Sequence, residues 1–236
     1  CGCLRVHVPD ATRRNEFGQP VGDPVPGWSG AAHPPGQVLK GRRVTLRPLE
    51  VGDAPGLHAA YEGQADADWT YLPVERPRTL QEVRDLVEER MSSTAVTHAV
   101  LREGIACGVA SLMRIDQGNG VIEIGWVAFG TPLQRTVSST EAQRLLMGHV
   151  FDDLGYRRLE WKCDALNAPS MRAAERLGYT FEGTFRQAIV TKGRNRDTAW
   201  WSITDAEWPA VRERLDAWLD PSNFDDSGQQ RARLSP

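Results

Sequence analysis

Between Gly130 and Ala142 the chain carries Gln134, Arg135, Thr136, Ser138, Ser139 and Thr140, a run of amide, guanidinium and hydroxyl donors interrupted only by Val137. The run stands just ahead of the strongest helical period in the sequence, formed by Ala142, Leu145, Leu146, His149, Val150 and Leu154. A helix start presents unpaired backbone N–H groups and the positive end of the helix dipole, so further donors there make a site for an anion, phosphates above all. Ser138 and Glu141 have the spacing of a capping box that would fix the helix start. The same residues also suit a well-capped amphipathic helix with no ligand. On the strand-like run before the loop, Glu123 alternates with Val121 and Gly125, an acid on an otherwise apolar face. Burial there would raise a carboxyl pKa towards the range useful for proton transfer.

The elements that must hold these groups are legible as periods. Residues 97–102, 106–115 and 121–129 read as strands separated by Glu103-Gly104 and by the Gln117-Gly118-Asn119-Gly120 cluster, connections short enough to make antiparallel neighbours. Upstream, residues 43–49 read as a strand, Asp53 and Pro55 open a short helix, and Thr79 with Glu82 forms a capping box before a second one. Downstream, residues 158–164 alternate as a half-covered strand, and Asn167, Pro169 and Gly178 delimit a helix. Two strands, about 181–191 and 197–203, flank a Lys192–Arg196 turn, and Trp208 to Leu219 marks a terminal helix. Ahead of all this, residues 16–36 are Pro- and Gly-rich with Phe17, Val21, Val25 and Trp28 spaced along them, which reads as an extended arm packed over the domain. The polar tail from Asp220 is expected to be poorly ordered. The expected organisation is therefore an arm over residues 1–37, one domain over 38–219 and a tail over 220–236.

With 236 residues, 40% hydrophobic and 25% charged, the composition is that of one globular domain, which excludes collagen-like, coiled-coil and wholly disordered chains. A net charge of −3 offers no bulk field for a nucleic acid. No apolar run approaches the roughly 20 residues that span a bilayer, and no secretory signal is visible. The four cysteines, Cys1, Cys3, Cys107 and Cys163, are too few for a disulfide framework, and the histidines show no metal spacing. A cytoplasmic protein without nucleic-acid, membrane or metal partners is the expectation.

The order of elements, together with Leu133-Gln-Arg-Thr136, Glu160-Trp-Lys-Cys-Asp-Ala-Leu-Asn167, Phe181-Glu-Gly183, Phe185-Arg-Gln187 and Lys192-Gly-Arg-Asn-Arg-Asp197, resembles the GNAT superfamily of acyl-CoA-dependent N-acyltransferases. Within it the chain looks like the RimJ/RimL-type acetyltransferases, and the Pro-rich arm resembles a leader found in one branch of that subgroup. The resemblance covers about residues 38–208. It implies an α+β fold, a mixed and mostly antiparallel sheet of about six to seven strands flanked by helices, and acetyl-CoA as co-substrate.

Direct attack of an amine on the thioester is the chemistry that this resemblance implies, on the primary amine of a small molecule or of a protein N-terminus. Glu123, eleven positions before Gln134, would be the base. Backbone N–H groups of Val127 and Ala128 would receive the oxyanion and, with Phe129, line the pantetheine arm. The family's Gln/Arg-x-x-Gly-x-Gly/Ala loop aligns to Gln134, Arg135, Thr136, Val137, Ser138 and Ser139, with Thr140 following. Valine and serine replace its last two small residues, and valine does not easily adopt the positive φ that glycine allows. Either the loop backbone follows an L-compatible path or CoA binding is weakened. A tyrosine acid common in the superfamily aligns with Ala174 and is missing, leaving Ser170 for the thiolate and Asn167 for the pantetheine amide. Asp68, Trp69, Tyr71 and Trp126 would wall the acceptor site. The replaced glycine and missing tyrosine also fit a non-catalytic acyl-CoA-binding module. The oligomer is expected to be a monomer or homodimer.

Overall fold

The computed structural model describes residues 13–235, so Cys1, Cys3 and His7 lie outside the described residues. In chain order the elements are β1 (Leu39–Lys40), β2 (Thr45–Pro48), α1 (Ala54–Glu62), α2 (Leu80–Met91), β3 (Val96–Arg102), β4 (Ile105–Asp116), β5 (Val121–Phe129), α3 (Val137–Gly148), β6 (Arg158–Asp164), α4 (Ala168–Leu177), β7 (Thr180–Thr191), β8 (Arg194–Thr204) and α5 (Trp208–Leu219). The fold is α+β, as the resemblance implies, with one sheet in the order β1-β2-β3-β4-β5-β6-β8-β7. Its eight strands exceed the expected six to seven by the edge piece Leu39–Lys40, a two-residue strand too short to leave a period in the sequence.

Every neighbouring pair is antiparallel except β5 and β6, which run parallel and pair only over Val121–Glu123 with Arg158–Glu160. Beyond Glu123 the two strands part, and the gap between them is the frame of the site. Alternation places the two faces of the sheet in different cores: Ala99, Leu101 and Val109 pack with Leu57, Tyr61 and Val83 of the first two helices, whereas Val100, Ala110 and Leu112 pack with Leu146 and Met147 of α3. The hairpin at Lys192-Gly193 is tighter than the five-residue turn expected from its basic run. Both residues have positive φ, +48° and +70°, the geometry of a two-residue connection, and β8 resumes at Arg194.

Trp28 of the N-terminal arm lies across the β4–β5 turn, its indole N–H donating to the Gly118 carbonyl at 2.8 Å, with the Arg157 guanidinium 5.5 Å from its ring centre. A Cβ on Gly120, whose φ is +65°, would lie 2.5 Å from that ring, so the seat requires glycine. The arm therefore crosses the end of the sheet remote from the gap. The tail, expected to be poorly ordered, folds into a hook over α5. Trp218 donates from its indole to Gln230 Oε1 and to the Ala232 carbonyl, each at 3.1 Å, and Leu234 is buried. Asp220, Asn223 and Asp225 accept backbone N–H bonds along the hook, adding to its own short 3-10 turn at Pro221–Asn223 and the antiparallel bridge between Phe224 and Gln230.

His98 of β3 is wholly inaccessible to solvent, and burial, reinforced by His149, lowers its pKa from 6.5 to about 4. An unfolded chain takes up that proton below about pH 6.5 while the folded chain does not until about pH 4, so stability falls as pH drops through this window. The expected slope is up to about 1.4 kcal/mol per pH unit. Melting curves from pH 7 to pH 4 should show it, and a His98→Gln variant should flatten the profile; an equally steep profile in that variant would place the effect elsewhere.

Candidate active site

The gap between β5 and β6 begins at a β-bulge. Val109 pairs with Ala128 and Ser111 with Gly125, so Trp126 and Val127 together face the single residue Ala110. Trp126 takes a left-handed φ of +50° to make this bend. The strand end is then tied down from its carbonyl side: the Tyr61 hydroxyl donates to the Ala128 oxygen at 3.1 Å, and Gln64 and Gln134 donate to the Phe129 oxygen at 2.9 and 3.2 Å. Gly130 follows where a Cβ would stand 2.5 Å from that of Ala60, which brings the loop against α1.

The helix start differs from the expected one. Thr136, not Ser138, is the N-cap of α3, its hydroxyl oxygen accepting from the Ser139 N–H at 3.3 Å. Glu141 makes no capping box. Its buried carboxylate accepts from the backbone N–H groups of Arg42, Arg43 and Val44 at 3.1, 2.7 and 2.9 Å, a partner set nearly a hundred residues away that local spacing cannot reveal. Val137 is the first helical residue, and the left-handed position falls on Arg135, with φ of +57°. The valine therefore sits in ordinary helical backbone, and the left-handed turn of the loop is borne by the arginine two residues before it. Because the helix starts earlier than expected, Ser138 is buried in its first turn and does not line the site.

A cleft of 1670 Å³ occupies the gap. Every other residue proposed from the sequence lines it: Glu123, Trp126 to Phe129, Gln134 to Val137, Ser139, Thr140, Asn167 and Ser170, with Asp68, Trp69 and Tyr71 at the loop after α1. Asn167 caps α4, accepting from the Ser170 N–H at 3.1 Å. The Ser170 hydroxyl oxygen accepts from the Trp161 indole at 3.0 Å, which leaves its own proton to donate. Two of the acceptor-wall residues have structural duties. Trp69 is buried, donates to Gln64 Oε1 at 2.9 Å and stands edge-on to Tyr61, and Asp68 accepts the Ala65 N–H at 2.9 Å. Tyr71 reaches over the cleft to donate to the Leu166 carbonyl at 3.0 Å, and Arg90 lies 4.6 Å from the Trp126 ring centre.

Glu123 is 5% exposed at the point where β5 and β6 part. Its Oε2 lies 3.0 Å from Lys162 Nζ and 2.9 Å from Arg114 Nε, and Lys162 also pairs with Glu160 and lies over the Trp200 ring at 3.9 Å. Burial pushes the Glu123 carboxyl above its ordinary value, while Lys162 and then Arg114 oppose the shift. Sequence reasoning missed both cations. The alternation of β6 puts Glu160 and Lys162 on one face, but only the parallel register, Glu123 opposite Glu160, shows that this face meets Glu123.

The lining is strongly basic. Arg114, Arg135, Lys162, Arg172, Arg176, Arg186, Arg196 and Arg233 border the cleft, against the acidic Asp68, Glu123 and Asp164, in a chain whose net charge is −3.

Comparison with known proteins agrees with this frame. The acetyltransferase (GNAT) domain family matches residues 43–180. A GCN5-related N-acetyltransferase from Brucella melitensis of known crystal structure is 44% identical, covers 89% of this chain and 97% of its own, and superposes with a TM-score of 0.87. YdaF of Bacillus subtilis strain 168, provisionally named a ribosomal N-acetyltransferase, is 27% identical over 173 residues, 70% of this chain and 93% of that protein. The uncharacterised N-acetyltransferase p20 of Bacillus licheniformis is 26% identical over 180 residues, 73% of this chain and 98% of its own.

Proposed function

The chain belongs to the GNAT family of N-acetyltransferases, of RimJ/RimL type, and on that premise we propose that it moves an acetyl group from acetyl-CoA to a primary amine by direct attack. The observation that carries the reading is the basic cleft: a net-negative chain sets eight cationic side chains against three acidic ones where the bulge, the α3 start and Glu123 converge. Such a lining fits the pyrophosphate and phosphate groups of CoA. Acetyl-CoA supplies the acyl carbon already activated as a thioester.

The remaining roles belong to the chain. Gln134, Arg135, Thr136, Val137, Ser139 and Thr140 hold the pyrophosphate, and Phe129 and Asn167 border the pantetheine arm. Val127 and Ala128 direct backbone N–H groups to the developing oxyanion, a form of stabilisation that acts most strongly in the transition state. Glu123 takes the ammonium proton of the acceptor, and the second proton that the nitrogen loses after attack reaches the departing sulfur through the Ser170 hydroxyl, which gives up its proton to the sulfur and takes the nitrogen's in its place. Trp126, Tyr71 and the exposed carboxylate of Asp68 form the acceptor side. The acceptor is the amine of a small molecule or of a protein N-terminus, and the name of YdaF supports the second.

With Val137 in ordinary helical backbone, the reading as a non-catalytic module loses one of its two supports. Calorimetric titration with CoA, beside thiol release from acetyl-CoA with pooled amines and N-terminal peptides, tests the proposal. CoA binding with amine-dependent release is expected. Binding without release for any acceptor would favour the module, and no CoA binding would overturn the reading.

A further inference from the structure

The C-terminal hook forms one wall of the basic cleft. Gln229, Gln230 and Arg233 line it together with Gln143 of α3 and Arg176 of α4. The hook is clipped in place where Arg214 donates to both the Arg176 carbonyl, at 3.1 Å, and the Ser235 carbonyl. Arg176 in turn donates to Thr140 Oγ1 at 3.2 Å, which places this wall one turn along α3 from the donor loop.

Two side chains here are without partners. Arg233 is exposed to the cleft and has neither ion pair nor hydrogen bond among the described residues. Gln143 is only 3% exposed, yet neither its Nε2 nor its Oε1 has a hydrogen-bond partner among the described residues. A buried amide left unpaired costs free energy unless something supplies the missing donor and acceptor. An amide and a guanidinium at one end of a cleft match a ligand that presents both hydrogen-bonding edges and a phosphate.

Order along the cleft decides which part of the ligand this is. The thioester belongs at the bulge and the pyrophosphate at the α3 start, so the hook lies beyond the pyrophosphate, where CoA carries its 3′-phosphorylated adenosine. We propose that the hook and α3 build the subsite for that nucleotide end, with Arg233 on the 3′-phosphate and Gln143 on the nucleoside, so that the tail selects CoA over shorter pantetheine thioesters. This rests on the acyl-CoA reading above.

Calorimetric titration of the full chain with CoA, 3′-dephospho-CoA and 4′-phosphopantetheine tests it. A charge-assisted bond from an exposed arginine to a phosphate is worth about tenfold in affinity. Arg233→Ala is therefore expected to weaken CoA about tenfold and leave dephospho-CoA unchanged, with Arg233→Lys recovering part of the loss. Gln143→Leu, which keeps the packing volume, should weaken CoA and dephospho-CoA alike and spare phosphopantetheine. If Arg233→Ala affects CoA and dephospho-CoA equally, or neither, the tail has no role in selection, although CoA binding itself still stands. Failure of the wild-type chain to bind CoA would instead remove the acyl-CoA reading and this subsite together.

Discussion

Glu123→Gln should lower amine-dependent thiol release by about two orders of magnitude or more, the usual worth of a general base, while CoA affinity stays within about twofold. The substitution keeps shape and removes only the ability to take a proton. Its fold should survive, for a physical reason. The carboxyl holds its proton to higher pH in the folded chain than in the unfolded one, so its ionisation works against stability as pH rises. Removing the charge relieves that cost, and Lys162 keeps Glu160 as its partner. In the wild-type enzyme kcat/KM should rise with pH through a value above the ordinary carboxylate range, and that limb should vanish in the variant. Unchanged turnover and an unchanged pH profile would place the base elsewhere.

Glu141→Ala is the substitution expected to damage the fold most. The carboxylate satisfies three successive backbone N–H groups of the β1–β2 hairpin, and alanine leaves all three without it. Each bond to a charged acceptor contributes about 1.5–3 kcal/mol, but the hairpin is open enough at Arg42 for water to recover part of the loss. A net cost of about 3 kcal/mol, or roughly 10 °C in Tm for a chain of this size, is expected. Glu141→Gln retains one acceptor oxygen and should cost about half as much. A Tm for the alanine variant within a degree or two of wild type would show that the hairpin is held by its packing alone.

How far the sequence could be read depends on how far apart the partners are. The Thr79–Glu82 capping box, the Asn167 cap and the Gly178 helix stop all lie within a few residues, and each stands in the structure as read. The β3, β4 and β5 spans agree to within a residue for the same reason, since alternation is a local property. What failed was long-range or carried by unexpected residue types. Glu141 spends its carboxylate on a hairpin distant in sequence and forms no box with Ser138, and the helix is capped instead by Thr136. The left-handed positions of the site fall on Arg114, Trp126 and Arg135, none of which announces a positive φ as glycine does. Lys162 and Arg114 became partners of Glu123 through sheet register, and the tail became part of the cleft through Trp218, Phe224 and Leu234, whose spacing follows no period.

The gathering of arginines in one cleft also bears on how a ligand arrives. Since the whole chain is net negative, the surface away from the cleft carries more acid than base. A polyanion diffusing towards the molecule is repelled over most of its approach and drawn in only along the mouth of the gap, where low-dielectric walls concentrate the field. The same charge distribution that is proposed to hold phosphate would thus act earlier as a guide, rejecting unproductive encounters before any contact is made.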